Sequence, residues 1–109
     1  MDRTQATTLR NRFATNLKNA RSLTGMTQAD LAEVAGMHTV SVQSFERRIN
    51  SPTLDSLELL AKALGVEPQV LILTPAEALA GMTHLADQAA DQKLGTSQRR
   101  SRGRVTRRQ

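Results

Sequence analysis

The stretch Gln28–Phe45, QADLAEVAGMHTVSVQSF, decides the fold. Two short helices that cross steeply through a tight turn make a fixed set of demands. Where the helices touch, one residue must be small, and Ala32 is. The turn needs a residue that tolerates positive φ without a Cβ clash, and Gly36 supplies it. Leu31 is the bulky inward anchor of the first helix, and Met37 is the apolar plug of the turn. The second helix must bury residues three apart, which Val42 and Phe45 satisfy. All of this falls at the spacing that a helix-turn-helix imposes.

Outward from this stretch the chain reads as helix throughout. On the N-terminal side Leu9, Phe13, Leu17 and Ala20 step by four, four and three and share one helix face. Gly25 should end that helix. Thr27 then caps the next one, with Asp30 at the capping-box position. The third helix should run from His38 or Thr39 to Arg47, and Asn50-Ser51-Pro52 is a loop by its chemistry. Thr53 caps a fourth helix carrying Leu54, Leu57, Leu60, Ala61 and Leu64, closed by Gly65. Residues 66–73 form a last short core helix that Pro68 begins. Thr74-Pro75-Ala76-Glu77 is a second start signal, with a Thr cap, Pro at the first position and Glu at the third. The helix that follows should reach Gln92 and stop by Gly95.

The expected organisation is all-α. It comprises a flexible N-terminus (1–7), a five-helix helix-turn-helix domain (8–73), an appended helix (74–95) and a disordered arginine-rich tail (96–109). The stripe Leu79, Met82, Leu85 or Ala86, and Ala89 on the appended helix either folds back on the domain or forms a dimer seam. The seam is favoured.

The TQADLA opening, the AGM turn, the FER close of helix three and SPTLDSLELLAKALGV together resemble the Cro/CI-type (XRE-like, lambda-repressor-like) helix-turn-helix family of transcriptional regulators. The resemblance covers roughly residues 9–73. It implies an ion pair between Arg21, late in helix one, and Glu46, ending helix three, with a structural role. It also implies base contacts from Thr39, Val40 and Ser44, with Gln43 close by, and binding as a homodimer to an inverted repeat with half-sites about 34 Å apart. Gln43 can bond adenine N6 and N7 together, and Val40 suits a thymine methyl group. Gln28 at the start of helix two is expected on a phosphate. Arg47, Arg48, Asn50 and Ser51 are expected on the backbone at the other side. Two positions depart from the family pattern. Arg48 stands where glycine is usual, so helix three is expected to continue another turn, and His38 stands where Ser or Thr usually caps.

Composition narrows the function classes. The chain has 109 residues, no cysteine and two histidines, so neither a disulfide framework nor a cysteine-based zinc site is available. No catalytic constellation or phosphate-cradling glycine loop is present, so neither an enzyme nor a cofactor is expected. The two phenylalanines offer almost nothing for stacking on single strands. The polar Met1–Thr8 start does not read as a signal peptide, and no apolar stretch approaches the roughly 20 residues that span a bilayer. A cytoplasmic protein of bacterial or phage origin, at the nucleoid, is expected.

The net charge of +5 belongs to residues 96–109, whose six arginines (Arg99, Arg100, Arg102, Arg104, Arg107, Arg108) face no acid, while the rest carries nine bases against ten acids. That tail can add affinity along DNA by counterion release, bind RNA, or order on an acidic protein. The leading function is therefore a sequence-specific double-stranded DNA-binding regulator, most simply a repressor. The alternatives are an antitoxin or adaptor that meets a protein partner through residues 74–109, and a tail-driven RNA or nonspecific nucleic-acid binder.

Overall fold

The structure is a computed structural model and describes residues 8–87. Five α-helices appear in order, α1 (Leu9–Thr24), α2 (Gln28–Ala35), α3 (Thr39–Glu46), α4 (Leu54–Leu64) and α5 (Pro75–Ala80), with a 3₁₀ helix, Pro68–Ile72, between α4 and α5. Residues 83–87 are helical again. The described residues contain no strand, and none of their helices is long and apolar enough to cross a membrane.

Local chemistry sets the boundaries. Thr8, Thr27, Thr53 and Thr74 each accept a backbone N–H from three residues on, and Thr27–Asp30 and Thr74–Glu77 complete reciprocal capping boxes. Gly36 ends α2 at φ +74°, and a Cβ built there meets nothing within 4 Å. Its left-handed dihedral, not crowding, is therefore what calls for glycine. One core joins all elements: Phe13, Leu17 and Ala20 of α1 meet Leu31, Val42, Phe45, Leu57, Leu60, Leu64 and Leu71. Phe13 and Phe45 pack edge to face at 5.6 Å between centroids and 75° between planes, which seats α3 on α1.

Two expectations are corrected. Helix three does not run on past Arg47, because Arg48 takes φ +65°. Its N–H donates to Phe45 O at 3.1 Å and the Ile49 N–H to Ser44 O at 2.9 Å, the paired bonds of a left-handed helix terminus. Two such bonds, at about 0.5–1.5 kcal/mol each, match the roughly 1–2 kcal/mol cost of a left-handed arginine. Pro52 also disfavours helical backbone at Ser51, so continuation had little room. Arg48→Gly should accordingly raise stability by about 0.5–1 kcal/mol, strain relief less the extra unfolded-state freedom of glycine. Urea unfolding checks it, and a loss of stability would contradict the strain argument.

The short core helix that Pro68 begins is a 3₁₀ helix, Pro68–Ile72, with Leu71 buried. Asn16 Nδ2 of α1 lies 3.4 Å from Val70 O, 3.1 Å from Leu71 O and 2.8 Å from Leu73 O, at the end of this helix.

The appended helix is neither continuous nor laid out as a seam. It breaks at residues 81–82, where a Cβ on Gly81 would sit 3.1 Å from Val70 Cγ2. Ala78, Met82 and Leu85 are buried in the chain's own core. Of the seam positions, Leu79 is 46% exposed and Ala86 is exposed, while Ala89 lies outside the described residues. His84 Nε2 lies 3.0 Å from Gly65 O, a second tie between this segment and the end of α4. Gln92, Gly95 and the arginines of residues 96–109 also lie outside the described residues.

Candidate nucleic-acid interface

The helix-turn-helix geometry rests on a polar node behind α3. Glu46 ends α3 with its side chain only 4% exposed, and it accepts from Arg21 Nε at 2.7 Å through Oε2 and from Arg21 Nη2 at 3.0 Å through Oε1. Gln28 Nε2 donates to the same Oε1 at 2.9 Å, and Arg21 Nη1 donates to Met26 O at 3.0 Å. One carboxylate thus ties α1, the first residue of α2, the loop before it and the end of α3. The hydrogen bond to Glu46 pushes the Arg21 pKa up, against desolvation by burial, with the charge of Glu46 adding to the rise. Arg21 therefore stays a cation at any working pH.

With Val42 and Phe45 buried, α3 turns its other face outward. Val40 is 67% exposed, one of several outward apolar side chains that include Leu54, Val34 and Ile49. Thr39, Gln43 and Ser44 are partly exposed, and among the described residues their side chains make no hydrogen bond. Arg47, Arg48 and Asn50 are exposed just beyond the helix. His38 caps α3 by position only, with no side-chain hydrogen bond.

Two candidate phosphate ligands have partners of their own. One amide hydrogen of Gln28 is committed to Glu46, leaving the other for a phosphate. Ser51 Oγ accepts from Arg10 Nε at 3.0 Å. Arg10 was missed by the sequence reading, because a contact between residues 41 apart leaves no periodic signal. Asn16 was missed too, although a polar residue on the Phe13–Leu17–Ala20 face is a readable anomaly. No group of three or more metal-binding side chains occurs among the described residues.

Comparison with known proteins settles the kind of molecule this is. The family described as helix-turn-helix matches residues 17–71. The chain belongs to the helix-turn-helix family. That family is a non-enzymatic, DNA-binding kind of transcription regulator. Within it, the chain is similar to control protein C.SmaI of Serratia marcescens, 35% identical over 60 residues that cover 55% of this chain and 71% of that protein. It is 37% identical over 79 residues to a hypothetical transcription factor of Neisseria meningitidis serogroup B, covering 72% of this chain and 74% of the relative. The crystal structure of the hypothetical transcription factor NHTF from Neisseria superposes with a TM-score of 0.64 at 33% identity, over 69% of this chain and 86% of that one. The clp gene regulator ClgR from Corynebacterium glutamicum shares the fold, with a TM-score of 0.58 at 24% identity over 86% of this chain and 94% of that chain.

Proposed function

We propose that this helix-turn-helix regulator reads a double-stranded operator through α3 in the major groove. In this reading Thr39, Val40, Gln43 and Ser44 touch base edges. Gln28, Arg47, Arg48, Asn50 and Ser51 grip phosphates, with Arg10 holding Ser51 in position. The carrying observation is an outward face of α3 with uncommitted hydrogen-bonding side chains around an exposed valine, on a helix fixed from behind by Glu46. Recognition needs such rigidity, since a base contact is lost if the helix tilts. The protein acts as a homodimer on an inverted repeat in the cytoplasm. It represses by occupying DNA that polymerase would use, and the arginines of the tail add affinity without sequence preference.

Gln43→Ala tests the assignment. It should change base preference at one position of each half-site by roughly 1–3 kcal/mol while leaving nonspecific binding in place. Binding competition among single-base operator variants provides the measurement. An unchanged preference in Thr39→Ala, Gln43→Ala and Ser44→Ala alike would remove α3 as the reading element.

A further inference from the structure

A cleft of about 210 Å³ opens between α1 and the end of α3, lined by Ala14, Thr15, Lys18 and Asn19 on one side and Glu46 and Arg48 on the other. We propose that this cleft binds a phosphoryl group, held by Lys18 and Arg48 with Thr15 and Asn19 as neutral donors.

Size limits the ligand first. Sites for metabolite-sized molecules run to roughly 300–1,000 Å³, whereas this cleft has about 210 Å³. Charge decides its sign. Neither Lys18 nor Arg48 forms an ion pair among the described residues. The single acid in the lining, Glu46, already has both oxygens engaged by Arg21 and Gln28. Lys18 and Arg48 thus line the space with no counter-ion of their own, beside a carboxylate already paired with Arg21. The two segments that line the cleft share this sign: apart from the paired Arg21 and Glu46, residues 8–24 and 46–51 contain Arg10, Arg12, Lys18, Arg47 and Arg48 and no acid. Residues 53–87 instead carry five acids against Lys62 alone. Backbone strain points to the same place. α1, α2 and α4 end on glycine in the left-handed region, and only α3 uses a side-chain-bearing residue there. Arg48 holds that strained conformation while lining the cleft, which is how strain collects at binding sites.

A phosphoryl group can come from the DNA backbone or from a free phosphate. The DNA arm of the test rests on the DNA-binding reading above, and the phosphate arm does not, so the two can fail separately. The full chain is titrated with inorganic phosphate at constant ionic strength, with chloride as control, while ¹⁵N amide shifts are followed. Salt dependence of binding to a 20-bp duplex is measured in parallel. Phosphate, and not chloride, should move the amides of Lys18, Asn19 and Arg48. Lys18→Gln and Arg48→Gly should each weaken that binding about tenfold. Arg48→Gly should do so in a protein at least as stable as the parent, which separates lost binding from lost folding. If the DNA backbone is the source, Lys18→Gln also lowers the slope of log K against log salt by about 0.9. If the source is a free phosphate, that slope stays and the amide shifts remain. No phosphate-specific shift together with an unchanged salt slope, or phosphate binding untouched by both substitutions, overturns the proposal.

Discussion

Glu46→Ala is expected to cost about 3 kcal/mol of folding stability, the penalty for breaking a buried pair and leaving its partner charged. The carboxylate is 4% exposed and accepts three hydrogen bonds, two from Arg21 and one from Gln28. Alanine would leave a guanidinium that is 16% exposed with only Met26 O as its remaining partner, and would free the Gln28 amide. An exposed pair of the same residues would lose 1 kcal/mol or less. Burial separates the two outcomes. The same reasoning says that the pair is not itself a large source of net stability, because desolvation offsets much of the attraction. Arg21→Met combined with Glu46→Leu should therefore recover most of the loss. Urea denaturation resolves this, as a shifted midpoint at constant slope. DNA binding should fall in the single variant even where it remains folded, since α3 loses its fixed tilt. A loss under 1 kcal/mol would mean that Phe13 against Phe45, and not the polar node, seats the recognition helix.

Leu85→Ala should cost 2–5 kcal/mol, the range for removing a leucine side chain from a closed core. Leu85 is 1% exposed and Met82 0%, in one cluster with Leu17, Leu60 and Leu71. The number alone does not separate an internal core position from a dimer seam, but its dependence on concentration does. An internal position loses the same stability at every protein concentration. A seam position gives a midpoint that moves with concentration in the parent and loses that dependence in the variant. The account predicts no concentration dependence of the Leu85→Ala effect. A dependence would restore the seam that the burial of these residues argues against, and would move residues 74–87 out of the domain.

The local signals in this sequence were legible because they act within a few residues. Thr caps, the Thr27–Asp30 and Thr74–Glu77 boxes and the glycines after α1, α2 and α4 all stand where the chain's composition put them. The pairing of Arg21 with Glu46 came through family resemblance, since nothing in a spacing of 25 residues points to it. What escaped was decided by competition between nearly equal terms. At Arg48 two terminal hydrogen bonds and the approach of Pro52 outweigh the strain of a left-handed arginine. In residues 75–87 the apolar stripe is the same for a seam and for an inward fold. The burial of Ala78, Met82 and Leu85 and the close approach of Gly81 to Val70, all contacts between elements, decide for the inward fold. In the candidate interface, the outward residues of α3 follow from which residues face inward. The engagement of Gln28 with Glu46 and of Ser51 with Arg10 does not, because both are contacts between elements.

The central claim is that α3 reads a defined DNA sequence. Selection from a random pool of duplex DNA near physiological salt tests it most directly, with the full chain run beside a version ending at Gly95. The account predicts that both recover one inverted repeat whose half-sites lie about one helical turn apart, 10–10.5 bp. The shorter version should bind all sequences more weakly, with a flatter salt dependence. Enrichment of no motif by either protein would contradict the claim and leave the helix-turn-helix as a scaffold for another partner.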